Sequence, residues 1–226
     1  SRHNISIKTI ELSKKLLQEM KTTHFLEAMW SGKVVNITEN RQALHPALRG
    51  SRDSFFPKDI MNEVTKQKKQ MLKIAEGVRN GNIKSHSGKK YTSVLAIGIG
   101  GSDLGPRMSV KALTPFKSNI DVRFVSNIDP SDLINVTADL DPSKTLIIVS
   151  SKTFTTVETL ANAKAAFNWL AKNIGEIGAK NQQYAITSNF DNAKIFGFDA
   201  TKILLFSEWV GGRTSIWSSV GLPLAI

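Results

Sequence analysis

The sequence predicts an α/β protein in which a doubly wound, five-stranded parallel sheet flanked by helices follows a helical N-terminal segment. Three observations predict it. Up to residue 90 apolar residues recur at helical spacing, after residue 90 short apolar β-rich runs appear, and segments of helical length separate those runs. The polar stretch 79–90 is typical of a connection, so we expect a helical segment over 1–90 and an α/β domain over 91–226.

Each element follows from its own pattern. Helices in the first segment are predicted from three groups of apolar residues: Ile10, Leu12, Leu16, Leu17 and Met20; Phe25, Leu26 and Met29; and Val64, Ile74 and Val78. The predicted strands are VLAIGI (94–99), VRFV (122–125), LIIVS (146–150), YAIT (184–187) and ILLF (203–206). Helices are expected between them near 103–113, 131–138, 156–174 and 189–195.

Composition narrows the class of protein. The chain has 226 residues, of which 41% are hydrophobic, and this is enough for a sizeable core. The absence of cysteine excludes disulfides and thiolate metal sites. The apolar runs are too short to span a membrane, and no secretory leader pattern is present. We therefore expect a cytoplasmic protein without a membrane partner.

The formal net charge of +11 lies mostly in residues 1–90, where KQKKQMLK (66–73) is the densest cluster. A nucleic-acid-binding surface is one interpretation of this excess. A solvated helix face is the favoured one, because no aromatic residues are interleaved to stack on bases. We therefore expect no nucleic-acid partner.

The loop GIGGSDLGP (98–106) leaves the first predicted strand of the sheet. Its glycines allow a close approach of the backbone to a ligand, and the helix behind it offers N–H groups to an anion. Neither nucleotide motif fits, because a dinucleotide fingerprint needs glycine where Asp103 stands and a P-loop needs lysine where Pro106 stands. An anion site and a tight turn without a ligand both stay open.

The stretch SSKTFTTVET (151–160) places many hydroxyl groups and Lys152 directly behind the apolar strand LIIV. One hydroxyl is enough to cap a helix, so helix capping alone does not account for the set. Together with the exposed amides of a helix start, these groups predict a phosphate cradle, and capping is the alternative.

A third segment, EWVGGRTSIWSSVGLP (208–223), follows the last predicted strand. Its two glycines allow a tight turn before Arg213, whose planar guanidinium suits a phosphate or a developing oxyanion. A structural ion pair is the alternative. The apolar residues of 216–226 are expected to form an exposed patch, as at a truncated domain boundary.

Five blocks resemble the glucose-6-phosphate isomerase family: NITENRQALHPALR (36–49), AIGIGGSDLGP (96–106), FVSNIDP (124–130) and the two segments at 151–160 and 208–223. The resemblance implies a sugar isomerase (SIS) fold. It also implies conversion of glucose 6-phosphate to fructose 6-phosphate and back, through a cis-enediolate, in glycolysis and gluconeogenesis. It further implies no cofactor and no metal, a hexose 6-phosphate substrate, and a cytoplasmic homodimer for the full-length protein.

The same resemblance assigns residues. Those that would bind the substrate phosphate are Ser151, Lys152, Thr153 and Thr156, with Ser102 beside them. Gly101 would lie against the sugar and Arg213 would stabilise the enediolate, although Thr214 stands where the family usually has an aromatic residue. The family's carboxylate base and its ring-opening histidine and lysine lie beyond this segment. We therefore expect a portion of the enzyme, truncated at both ends and inactive alone.

A regulatory sugar-phosphate-binding module and a nucleic-acid-binding protein are the alternatives to the isomerase. A phosphosugar-binding SIS module that regulates without catalysis needs only the phosphate cradle. The blocks at 36–49 and 208–217 argue against it, since generic SIS modules do not share them. The nucleic-acid-binding interpretation depends on the basic first ninety residues alone.

Overall fold

A computed structural model describes residues 3–50, 56–116 and 118–226, and the chain divides into two compact units, Ser1–Met61 and Asn62–Ile226. The first unit contains helices α1 (Ile7–Glu19) and α2 (Thr22–Trp30) and the antiparallel strands β1 (Val34–Asn36) and β2 (Arg41–Gln42). The two helices confirm the expected helical segment. The hairpin was not predicted, because strands of two or three residues are too short to show an alternating pattern.

The second unit begins well before the predicted connection at 79–90. Helix α3 (Lys58–Asn80) buries Val64, Ile74 and Val78, which recur on one face, and it therefore belongs with the core of this unit for most of its length. The division of the chain thus falls at Met61 rather than at residue 90. Among the residues that the structure describes, no helix is long and apolar enough to cross a bilayer.

Five parallel strands form the central sheet, as the sequence predicts. They are β3 (Ser93–Ile97), β4 (Asp121–Val125), β5 (Thr145–Ser150), β6 (Gln183–Thr187) and β7 (Ile203–Leu205). Their order is β4-β3-β5-β6-β7, so the chain leaves β3 in one direction and later continues from β5 in the other. Such a reversal opens a crevice at the carboxyl ends of the two strands, where ligands of this fold class bind.

Helices cover both faces of the sheet. They are α4 (Gly101–Ala112), α5 (Pro130–Thr137), α6 (Val157–Asn181) and α7 (Phe190–Phe196). Ala163, Ala166 and Leu170 of α6 pack at helical spacing against one face, which also contains Val125 of β4. Helix α4 lies on the other face, since its Arg107 guanidinium is 5.4 Å from the ring centre of Phe124. Neighbouring residues of a strand point to opposite faces, so α4 and α6 are separated by the sheet.

The C-terminal residues do not form the exposed apolar patch expected from the sequence. Val220, Leu222 and Ile226 are buried, and Trp217 is the large side chain of this segment that stays exposed in the described part of the chain. The segment folds back in two short 3-10 turns and the helix α8 (Leu222–Ala225). Its serines satisfy nearby backbone groups, as where Ser218 Oγ donates to the Ser215 carbonyl at 2.6 Å. The prediction of an exposed apolar patch was therefore wrong, because the segment folds into turns and a helix that bury these side chains.

Candidate functional site

A cavity of about 180 Å³ lies at the carboxyl ends of β3 and β5, at the point where the strand order reverses. Thirteen residues line it: Ile99, Gly101, Ser102, Ser150, Ser151, Lys152, Thr156, Thr159, Phe206, Val210, Gly211, Gly212 and Ser215. Within the described part of the chain, Lys152 is the one lining residue with a charged side chain, so the cavity favours an anion. Two larger grooves, of about 530 and 640 Å³, lack this convergence of hydroxyl groups.

The first wall is the loop between β3 and α4. Gly100 has a φ of +56°, a conformation that glycine adopts without steric penalty, and it turns the chain into the helix. The Leu104 N–H donates to the Gly100 carbonyl at 2.8 Å, which starts α4 directly at the cavity. Gly101 and Ser102 therefore present the first turn of a helix to any bound anion.

The second wall is formed by residues 151–156, which continue from β5. We call them the phosphate loop after the cradle that the sequence predicts there. Its backbone is fixed to β6, because the Ser151 N–H donates to the Ile186 carbonyl at 3.0 Å and the Ser188 N–H donates to the Lys152 carbonyl at 3.0 Å. The Thr187 hydroxyl also donates to the Lys152 carbonyl, at 2.9 Å. The loop is thus held in place by the sheet at its first two residues.

Phe154 anchors the middle of the phosphate loop. Its φ is +54°, which is unfavourable for a side chain of this size, yet its ring is only 2% exposed. The ring meets Phe196 and Phe198 edge-on, with centroids 5.8 and 5.6 Å apart. Such aromatic contacts and burial offset the strain, so the loop is held in a shape that the backbone alone would not favour.

The hydroxyl groups of the phosphate loop divide into two sets. Ser151 Oγ and Thr156 Oγ1 lie 3.3 Å apart, and both residues line the cavity. Thr153 lies outside the lining, is exposed, and has its hydroxyl 2.7 Å from that of Thr155. Thr156 is the residue before α6, and within 118–226 its side chain makes no capping bond to the first turn. Capping therefore does not explain the Thr156 hydroxyl.

The third wall is formed by the glycines that precede Arg213. A β-carbon on Gly101 would overlap the Gly212 carbonyl oxygen and come within 2.6 Å of its carbonyl carbon. At Gly211 a β-carbon would lie 3.4 Å from Lys152 Nζ. The three walls are therefore interlocked, and Gly101 is needed for the close approach of Gly212.

Arg213 lies at the rim and does not line the cavity. Its side chain is exposed, whereas its carbonyl oxygen would be 3.2 Å from a β-carbon on Gly105 of α4. The Thr214 hydroxyl donates to the Gly211 carbonyl at 3.3 Å. The turn around Arg213 is thus closed by a hydrogen bond.

Sequence reasoning placed Gly101, Ser102, Ser151, Lys152 and Thr156 in one site, and the structure brings these residues together around the cavity. Sequence reasoning did not identify Thr159 and Ser215, which also line the cavity. Thr159 follows Thr156 by three residues on a helix and therefore shares its face, a signal that was available. Ser215 depends on a turn that no local pattern reveals.

The fold and the cavity define an α/β protein with a hydroxyl-lined cavity at the switch point of a parallel sheet. Comparison with known proteins gives the family, because the family model for phosphoglucose isomerase matches residues 1–226. The chain belongs to the phosphoglucose isomerase family and has its SIS-type fold.

Individual relatives agree with this assignment. The glucose-6-phosphate isomerase of Rhizobium leguminosarum bv. trifolii (strain WSM2304) is 44% identical over 220 residues, which are 96% of this chain and 41% of the relative. That of Caulobacter sp. (strain K31) is 47% identical over 201 residues, 88% of this chain and 37% of the relative. This chain thus spans about two fifths of the length of these curated relatives.

A solved structure of an isomerase and one of a protein without a stated function are both similar to this chain. The crystal structure of a glucose-6-phosphate isomerase from Chlamydia trachomatis D/UW-3/Cx superimposes with a TM-score of 0.79 and 27% identity, over 97% of this chain and 42% of that one. A hypothetical protein from Thermus thermophilus superimposes with a TM-score of 0.53 and 29% identity, over 69% of this chain and 38% of that one.

Proposed function

We propose that this chain forms the phosphate-binding part of a glucose-6-phosphate isomerase, which interconverts glucose 6-phosphate and fructose 6-phosphate. One observation carries the proposal. The hydroxyl groups of Ser151 and Thr156 lie together at a cavity that Lys152 also lines, and Thr156 does not use its hydroxyl to cap α6. A phosphate monoester supplies the charge and the acceptor oxygens that such a set of donors requires.

The predicted site residues have different roles in this proposal. Lys152 neutralises part of the charge of the phosphate, and the hydroxyls of Ser102, Ser151 and Thr156 donate to its oxygens. Helices α4 and α6 both begin at the cavity, so the positive ends of their dipoles add to the attraction. Thr153 contributes through the backbone of the loop, since its hydroxyl pairs with Thr155. Gly101 leaves room for the sugar as well as for Gly212.

The chemical step needs a cation close to the sugar oxygens. Removal of the C2 proton from open-chain glucose 6-phosphate leaves negative charge on the C1 oxygen and gives a cis-enediolate. Transfer of the C2 hydroxyl proton to the C1 oxygen, with return of the abstracted proton to C1, then gives fructose 6-phosphate. We assign Arg213 to the stabilisation of that charge, because its guanidinium is permanently positive and it lies in the chain between Gly212 and Ser215, which line the cavity.

The remaining parts of the mechanism belong to the rest of a family member. In this proposal the carboxylate that moves the proton, and the histidine and lysine that open the ring, come from segments outside this chain. The full-length protein would act as a cytoplasmic homodimer without a cofactor, and this chain alone would bind a hexose 6-phosphate without converting it.

Calorimetric titration of the chain with fructose 6-phosphate tests this function. Saturable binding is expected with fructose 6-phosphate and not with fructose. Thr156→Val and Thr153→Val form a matched pair, because both remove one hydroxyl from the same loop. We expect the dissociation constant to rise about tenfold for Thr156→Val and to stay within about twofold for Thr153→Val. Equal effects of the two variants, or equal binding of fructose, would contradict the proposal.

A further inference from the structure

The loop at residues 126–129, which follows β4, belongs to a motif that has no role in the site described above. It does not line the cavity in the described part of the chain. However, side chains from three helices hold it, and two of those helices, α4 and α6, begin at the cavity. The contacts therefore link the loop to both sides of the phosphate site.

The contact with α4 is made by Arg107. Its Nε donates to both carboxylate oxygens of Asp103, at 2.9 and 3.1 Å, and its Nη2 donates to Ser126 Oγ at 3.0 Å. Asp103 is 4% exposed and directly follows Ser102, which lines the cavity. A paired guanidinium thus joins the first turn of α4 to the loop, and charge-assisted bonds of this kind hold their geometry well.

The contact with α6 is made by Asn162, which is 5% exposed. Its Nδ2 donates to the Asn127 carbonyl at 2.7 Å. Asn162 lies one turn after Thr159, a residue of the cavity lining. The loop itself is kept in shape by α5, since Asp132 Oδ2 accepts from the Ser126 and Asn127 N–H groups at 3.1 and 3.0 Å.

Helices α4 and α6 lie on opposite faces of the sheet, so the spacing of their first turns depends on the elements that connect the two faces. We propose that Arg107 and Asn162 are positioning residues that fix this spacing through the loop at 126–129. The bonds pass from Asp103 and Arg107 around the carboxyl end of β4 to Asn162. This inference rests on the proposed phosphate site. The starts of α4 and α6 must keep a fixed distance from each other for both to contact a single phosphate.

Asn162→Leu tests the positioning role in solution. The variant removes the bond to Asn127 while keeping a side chain of similar size, and the dissociation constant for fructose 6-phosphate is expected to rise about tenfold. Gln182→Leu is the matched control, because Gln182 is a fully buried amide that donates to the Pro142 and Thr145 carbonyls at the other end of the sheet. It should lower stability and leave the dissociation constant unchanged.

A distance measurement tests the same role without a ligand. The chain has no cysteine, so spin labels can be attached at Met108→Cys on α4 and Ala161→Cys on α6, two exposed positions. The distribution of distances between the labels is expected to broaden with Asn162→Leu and not with Gln182→Leu. If Asn162→Leu does not fold, Ser126→Ala removes the Arg107 contact alone and is expected to broaden the distribution in the same way.

The two experiments separate the possible failures. If the unaltered chain does not bind fructose 6-phosphate, the proposed function fails, and the label distances still decide the positioning role. If the unaltered chain binds and Asn162→Leu binds equally well with an unchanged distance distribution, the positioning role is overturned and the phosphate site stands.

Discussion

The two ends of the parallel sheet use similar residues in opposite ways. At the amino end, Gln182 accepts from the His86 N–H at 3.0 Å and donates to two carbonyls, and the hydroxyls of Ser93 and Thr145 lie 2.8 Å apart. At the carboxyl end, Ser151 and Thr156 line an open cavity. Polar groups that bond to each other within the fold stabilise it, whereas polar groups that also line a cavity can bond to a ligand.

Two lysines show the same difference. Near the amino end, Lys202 Nζ lies 3.5 Å from the Tyr184 hydroxyl and 4.6 Å from its ring centre, and burial lowers the pKa of this amine. At the carboxyl end, Lys152 lines the cavity. A residue type therefore does not identify a functional site by itself. Its surroundings decide whether its charge lies within the fold or at the wall of a cavity.

The largest expected effect on fructose 6-phosphate binding comes from a substitution that disturbs the cavity at the carboxyl end of the sheet. Gly101→Ala would place a β-carbon against the Gly212 backbone, which cannot move away without displacing the turn before Arg213. We expect fructose 6-phosphate binding to become undetectable by calorimetry. Gly77→Ala is the control, since the same addition on helix α3 would meet only the flexible side chain of Ile83, at 2.7 Å. Unchanged binding by Gly101→Ala would show that the interlocked walls are not needed.

A smaller effect is expected when the cation at the rim is removed. In a full-length family member that contains this segment, Arg213→Ala should lower turnover by about 100-fold, as for loss of one group that stabilises a developing oxyanion. The KM for fructose 6-phosphate should change little, because Lys152 and the hydroxyls hold the phosphate. Turnover close to that of the unaltered enzyme would remove Arg213 from the mechanism.

The smallest effect on fructose 6-phosphate affinity is expected from a substitution at the amino end of the sheet. Gln182→Leu leaves the His86 N–H and two carbonyls without their partner, and should lower the free energy of unfolding by about 2 kcal/mol. Urea unfolding measures this change. The dissociation constant for fructose 6-phosphate should stay within about twofold. A large loss of affinity would mean that the two ends of the sheet are coupled.

The strands of the sheet and one wall of the site followed from local patterns. The apolar runs located all five strands, and the hydroxyl-rich stretch behind β5 located the phosphate loop, because residue type and position at a strand end both act locally. The position of Thr153 was not predictable to the same degree. A hydroxyl in a loop can turn toward a cavity or toward a neighbour, and here it turns toward Thr155.

The features that the sequence did not predict depend on contacts between distant residues. The αL conformation of Phe154 is stabilised by two aromatic rings from another helix and the segment after it, and no pattern around Phe154 indicates this. The approach of Gly212 to Gly101 joins loops that follow different strands. The C-terminal segment was expected to be exposed as at a truncated boundary, but it folds into turns that serine hydroxyls help to close, and no local pattern reveals these turns.

The most direct test of the phosphate site is amide NMR of the isotope-labelled chain during titration with fructose 6-phosphate. The amide signals of Ser102, Ser151 and Thr156 are expected to shift together and to saturate at one dissociation constant. The side-chain amide signals of Gln182, at the other end of the sheet, should stay in place. Shifts confined to the amino end, or scattered over the surface without saturation, would contradict a phosphate site at the switch point.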